Sequence, residues 1–196
     1  MSAPNTTLFV IDIQNFLAAD PTTRIPHADR LNAAAEEILS AARSVNEQAN
    51  QTPSTIVFVQ HEEPPGQPGL TRGTEPWKLV FNPADGAANE RLVSKTTGCV
   101  FESNPDLAQQ LKDQGVTHIV TFGVQSECCV QASSKGALAA GFQVSLLKGA
   151  HSTYNAGDAT ALEIEKEVED LLEGLGAKIV PHRDAIAAWK SAGVLC

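Results

Sequence analysis

The sequence predicts a three-layer α/β/α fold with a mainly parallel sheet of about six strands, and two patterns carry that prediction. Short apolar runs rich in β-branched residues recur at Leu8 to Ile13, Ile56 to Val59, Val116 to Val124, Phe142 to Leu147 and Ala177 to Val180. Each is of strand length and mostly apolar, as expected of strands covered on both faces. Between them lie segments of helical period. Leu31, Ala34, Ile38, Ala42 and Val45 share one face, and Leu162, Val168, Leu171 and Leu172 are assigned to another. Strand and helix in alternation imply parallel crossovers.

Turn chemistry supports the order of elements. Asn104 is a candidate helix cap with Pro105 at the first helical position, and Gly115 is placed to end that helix. Gly141 is placed to end the helix that follows Cys129. His61 to Ala88 is a long irregular stretch dense in Pro and Gly. A connection of that length in a compact domain usually covers a site, although a plain surface excursion is the competing reading.

Length and composition limit what the chain can be. Its 196 residues suit one domain, read here as 1–196, and 42% hydrophobic with 19% charged residues is a globular balance. Fourteen Lys and Arg against 23 Asp and Glu give a net charge of −9, which disfavours nucleic acid and anionic membranes as partners and favours small molecules. The start, Met1-Ser2-Ala3-Pro4-Asn5, has no basic region followed by an apolar one, and no run approaches the ~20 apolar residues that span a bilayer. Cys99, Cys128, Cys129 and Cys196 show no disulfide spacing and read as thiols. A reducing compartment, the cytoplasm, is the expected location.

In parallel sheets, ligands bind beyond the carboxyl ends of strands. The first strand runs into Asp12, a carboxylate that is costly after an apolar run unless it is partnered. A turn-holding aspartate is the plain alternative. After Val124 comes Gln125-Ser126-Glu127-Cys128-Cys129-Val130, where a thiol in a first helical turn would feel unpaired N–H groups that favour thiolate. The plain reading, two small buried hydrophobes, suits Cys128 better than Cys129. Lys95 lies in a polar turn after a short apolar stretch, and by itself reads as a solvated charge.

Three motifs change these weights together. FVIDIQNFL, VSKTTGCVFESNPDL and FGVQSECCVQASSKGALAAGF, in that order, resemble the first-strand, lysine and nucleophile motifs of the isochorismatase-like cysteine hydrolases, the superfamily of nicotinamidases and N-carbamoylsarcosine amidohydrolases. The resemblance spans about Leu8 to Val180 and implies a Rossmann-like arrangement of the layers. It implies Asp12 as general base, Cys129 as nucleophile and Lys95 as the cation between them. It also implies a cis peptide between Val124 and Gln125, with the N–H groups of Gln125 and Cys129 serving as oxyanion donors. Gln14 and Phe16 fit its first-loop pattern and are assigned to the substrate pocket, with His61, Trp77, Phe101 and Tyr154 as further wall candidates; core packing explains Phe101 equally well.

Departures from the pattern narrow the expectation. Nicotinamidases carry an Asp-x-His metal motif after the second strand, where this chain has Gln60-His61-Glu62-Glu63. No metal and no cofactor are therefore expected, and His61 and Glu63 read as surface or substrate-contacting groups. Gly149 stands where the pattern is usually acidic, and His151 reads as a hydrogen-bonded structural residue. Cys129 favours C–N hydrolysis of a small amide or lactam through a thioester. Vinyl-ether hydrolysis of the isochorismatase type, a non-hydrolytic thiol-redox or stress protein and a scaffold that has lost catalysis remain as alternatives. The resemblance also implies a homo-oligomer, dimer or larger, with the small-residue helix around 132 to 141 as a candidate contact.

Overall fold

The computed structural model describes residues 5–48, 53–67 and 69–196. Its strands are β1 (Thr6–Ile11), β2 (Ile56–His61), β3 (Glu90–Lys95), β4 (His118–Val124), β5 (Gln143–Ser152) and β6 (Lys178–Pro181). They form one sheet in the order β3-β2-β1-β4-β5-β6, and every pairing is parallel. The α/β expectation therefore holds, with a sheet that is wholly rather than mainly parallel. The order reverses direction between β1 and β4, the two central strands, and the crevice at their carboxyl ends is where such sheets hold ligands.

All six residues of β1 are buried, because its two faces feed two cores. Leu8 and Val10 join one cluster with the stripe of α2 (Ala28–Gln48) and with Trp189 of α7 (His182–Ala192). Phe9 and Ile11 join the opposite cluster, which includes residues of α3 (Val100–Ser103), α4 (Leu107–Asp113), α5 (Gln131–Ala139) and α6 (Ala161–Gly174). A four-residue helix, α1 (Asn15–Ala18), follows β1 directly. On α2, Leu31, Ala34, Ile38, Ala42 and Val45 are all buried, as their spacing predicts.

The structure corrects the local reading at three places. Lys95 ends β3 rather than sitting in a turn; β3 is an edge strand whose residues alternate in exposure, so it never forms the continuous apolar run of an inner strand. On α6 the buried stripe is Ala161, Ile164, Glu165, Val168, Glu169 and Leu172, while Leu162 and Leu171 face solvent. Two carboxylates hold stripe positions because they are paired, Glu165 with Arg30 and Glu169 with Lys148, so apolarity alone misplaced the face. Asn104 is the C-cap residue of α3 and not the N-cap of the helix that follows. Its amide donates to the carbonyls of Ser94 and Val100, tying α3 to β3. Within α5, Gly136 is packed tightly: a Cβ on it would lie 2.6 Å from Cys99 Sγ.

Among the described residues no helix is long and apolar enough to cross a membrane. The leader reading of Met1 to Pro4 lies outside the described residues.

Candidate active site

Backbone geometry at the crevice delivers three side chains to one point. β1 stops at Ile11, and Asp12 takes φ +51°, a left-handed conformation uncommon for a residue with a side chain and held here by Asp12 N–H donating to Val59 O at 3.0 Å. From β4 the chain passes through a cis peptide between Val124 and Gln125 into a π-helical turn, Ser126–Val130, in which Val130 N–H donates back to Gln125 O. Such turns recur at functional sites, because the extra residue re-aims a side chain. Here the turn carries Cys128 and Cys129. From β3, the last residue is Lys95, paired in register with His61 at the end of β2.

Lys95 Nζ is the centre of the cluster. It lies 2.7 Å from Asp12 Oδ2, 3.0 Å from Cys129 Sγ and 3.1 Å from His61 Nδ1, and it also donates to Thr97 O. Both members of the Lys95–Asp12 ion pair are almost wholly shielded from solvent. Asp12 Oδ1 is buried without a hydrogen-bond partner, which leaves an acceptor open beside the thiol. Because the lysine donates to Nδ1, the His61 ring is the neutral tautomer carrying its proton on Nε2.

Electrostatics fix the resting protonation. Burial, reinforced by the Asp12 carboxylate, pushes the Cys129 thiol up to about 12, and Lys95 offsets this only in part. Cys128 is raised as well, by burial and Glu127. The expected resting thiolate is therefore corrected to a thiol, because desolvation and a neighbouring carboxylate outweigh the dipole of a short turn. Burial works against the Lys95 charge, but Asp12 and Cys129 outweigh it and hold the ammonium above its ordinary value. Burial, then Lys95, lowers His61 despite the nearby carboxylates.

The cluster opens on a cavity of about 540 Å³ lined by Asp12, Phe16, Leu17, Thr23, His61, Glu63, Leu70, Gln125, Cys128, Cys129 and Tyr154. Phe16, His61 and Tyr154 thus stand on its wall. Gln14, Trp77 and Phe101 do not. Gln14 is fully buried and acts as a clamp: its Nε2 donates to the carbonyls of His61 and Trp77, and its Oε1 accepts from His61 N–H. Trp77 takes part through that backbone carbonyl. Phe101 stacks between Phe9 and Phe142 in the core on the other face.

The family model described as Isochorismatase domain matches residues 6–168. The chain belongs to the isochorismatase family. A streptothricin hydrolase of Streptomyces noursei is 30% identical over 191 residues, covering 93% of this chain and 71% of its own length. Among solved structures, a cysteine hydrolase from Pseudomonas syringae pv. phaseolicola 1448A has a TM-score of 0.80 at 16% identity, over 96% of this chain and 93% of its own. A pyrazinamidase of Pyrococcus horikoshii, solved in complex with zinc, has a TM-score of 0.68 at 23% identity, over 91% of this chain and 99% of its own. The family and these relatives make the chain an isochorismatase-family hydrolase; the structural likenesses speak to the fold.

A metal ion does not suit the donor set of this family member. One ligand atom each from Asp12, His61 and Cys129 fall within 4.8 Å of one another, a spacing that could suit a cation. Lys95 Nζ already satisfies that spacing with its own charge, and an ammonium among the ligands repels a divalent ion. Glu63, the other candidate, gives Oε2 to Leu70 N–H.

Sequence reading passed over parts of the site that only distant contacts reveal. Leu17, Thr23 and Leu70 are ordinary residues in the sequence, brought to the wall by α1, the turn after it and the loop after β2. His151 supports the turn from below, fully buried, with Nδ1 2.9 Å from Ser126 Oγ and Nε2 3.5 Å from Glu169. That is the structural role its sequence context suggests.

Proposed function

We propose that this hydrolase cleaves an amide or lactam C–N bond of a small molecule through a thioester on Cys129, without a metal. The observation that carries this reading is the placement of Cys129 Sγ 3.0 Å from Lys95 Nζ, itself 2.7 Å from Asp12, on the wall of a cavity large enough for a small substrate. A thiol raised to about 12 needs its proton removed as it attacks, and Asp12 is the base within reach. In the first step Sγ bonds to the carbonyl carbon, the thiol proton passes to Asp12, and the carbonyl oxygen becomes an oxyanion facing the N–H groups of Gln125 and Cys129. Collapse breaks the C–N bond, and the amine leaves with the proton from Asp12. Water, deprotonated by Asp12, then cleaves the thioester to acid and free thiol. Lys95 keeps positive charge beside both the carboxylate and the sulfur throughout.

The names of the relatives, a streptothricin hydrolase, a cysteine hydrolase and a pyrazinamidase, support amide hydrolysis by a cysteine. The test is a panel of small amides and lactams assayed for released amine, with intact mass spectrometry to catch the acyl adduct on Cys129. Amine release that disappears in Cys129→Ala supports the reading. Undiminished turnover by that variant overturns it, and peroxide-dependent sulfenylation of Cys129 without turnover of any amide favours the redox alternative.

A further inference from the structure

The charges on the cavity wall do not balance. Two carboxylates line it, Asp12 and Glu63, and no lysine or arginine does so among the described residues. Asp12 is neutralised by Lys95, whose side chain is buried behind the wall. His61 accepts a hydrogen bond from that same lysine, and Cys129 is a thiol, so neither adds charge. Glu63 is left as the uncompensated charge of the cavity.

Glu63 is also held in place. Its N–H donates to Leu70 O at 3.0 Å, and its Oε2 accepts from Leu70 N–H at 3.1 Å, a two-way clip across the loop. Oε1 has no hydrogen bond to the described residues. Of the two cations on the same loop, Arg72 pairs with Glu62, at 3.8 Å and largely in solvent, and Lys78 pairs with Glu75. The carboxylate and the Phe16 ring both face Gly69: a Cβ there would be 3.2 Å from Glu63 Oε2 and 3.7 Å from Phe16 Cζ. A carboxylate sharing one cavity wall with the Phe16 and Tyr154 rings, Leu17 and Leu70 matches an ammonium or guanidinium carried on an apolar stem.

We infer that the cavity selects amide or lactam substrates bearing a positively charged amine or guanidine group, and that Glu63 is the residue that reads this charge. The inference rests on the hydrolase reading for the identity of the substrate, but its first test needs no turnover. Methanethiosulfonates of matched size, one with an aminoethyl group and one with a sulfonatoethyl group, transfer their thiol fragment to a cysteine sulfur as a disulfide and release methanesulfinate. Rates are read at Cys129 by peptide mass spectrometry, with exposed Cys196 as an internal reference for the effect of the chain's overall charge.

The cationic-to-anionic rate ratio at Cys129 should exceed that at Cys196 by about tenfold at low salt, and shrink as salt is added. In Glu63→Gln, which keeps an acceptor for Leu70 N–H, the excess should vanish; in Glu63→Asp part of it should remain. An equal ratio at the two cysteines, or an excess unchanged in Glu63→Gln, overturns the inference. A second arm compares amides that differ only in an amino against a methyl group: Glu63→Gln should lower the kcat/KM preference for the amino over the methyl member about tenfold. If no amide is turned over while the labelling preference holds, the hydrolytic reading has failed and the cation selectivity stands.

Discussion

A Cβ placed on Gly123 would fall 2.0 Å from the carbonyl oxygen of Ile11. The two residues are register partners at the carboxyl ends of β4 and β1, one residue from Asp12 and three from the π-turn. Glycine at this point lets the strands close, and Gly123 also takes φ +134°, which side chains disfavour. Gly123→Ala should therefore lose at least about 2 kcal/mol of stability, read from the urea midpoint, because backbone rather than a mobile side chain blocks the methyl group. Hydrolysis by whatever fraction folds should also fall, since β1 and β4 would move apart and take Asp12 from Cys129.

Cys129 and Cys128 are adjacent, yet their replacement should have unequal effects. Cys129→Ala and Cys129→Ser should each reduce kcat/KM by at least ~10³-fold with unchanged circular dichroism and melting. Cys128→Ser should cost roughly threefold or less, because that thiol sits on the wall without touching Lys95.

Lys95 is a structural group as well as a chemical one. Its ammonium is the counter-charge for a buried carboxylate, so Lys95→Met should destabilise the protein by about 3–5 kcal/mol and abolish turnover. The double variant Asp12→Asn, Lys95→Met removes the stranded charge. It should recover most of the stability and none of the activity, as measured by denaturant titration and amide assay.

A thiol raised to about 12 has a recognisable pH signature. Alkylation of Cys129 by iodoacetamide in the free protein should rise about tenfold per pH unit from 7 to 10 with no plateau. A plateau for Cys129 below pH 8 would show a resting thiolate.

His118 links stability to acid. Burial, then the Lys178 charge, lowers its value from 6.5 to about 4, and its ring is held between Ser145 Oγ and Thr6 Oγ1. The folded ring binds its proton less readily than the unfolded one, so stability is intact above about pH 6.5, declines as pH falls toward 4, and the loss is complete below that. The loss should be at most about 3 kcal/mol. His118→Asn should flatten the pH dependence of the melting temperature in this window.

How much was legible in the sequence differs from residue to residue. Strands β1, β2, β4 and β5 announce themselves because both faces are buried, and α2 does so because its stripe is wholly apolar. Edge strand β3 and the polar stripe of α6 do not, since solvent covers one and ion pairs satisfy the other. Asp12, Lys95 and Cys129 stand out as motif residues at strand ends. Gln14 also stood out, but as a pocket residue, whereas its amide is spent on the backbone of His61 and Trp77.

What the sequence by itself determined is therefore the α/β class, the family and the three side chains worth bringing together. Those follow from local periodicity and from short motifs, which are properties of neighbours in the chain. Only the tertiary structure decided that Cys129 rests as a thiol, that His61 bonds to the lysine, that Phe101 belongs to the core and that Glu63 is the unbalanced charge on the cavity wall. Each of these depends on burial and on groups dozens of residues away, because desolvation and Coulomb interaction act through space and leave no mark on sequence spacing.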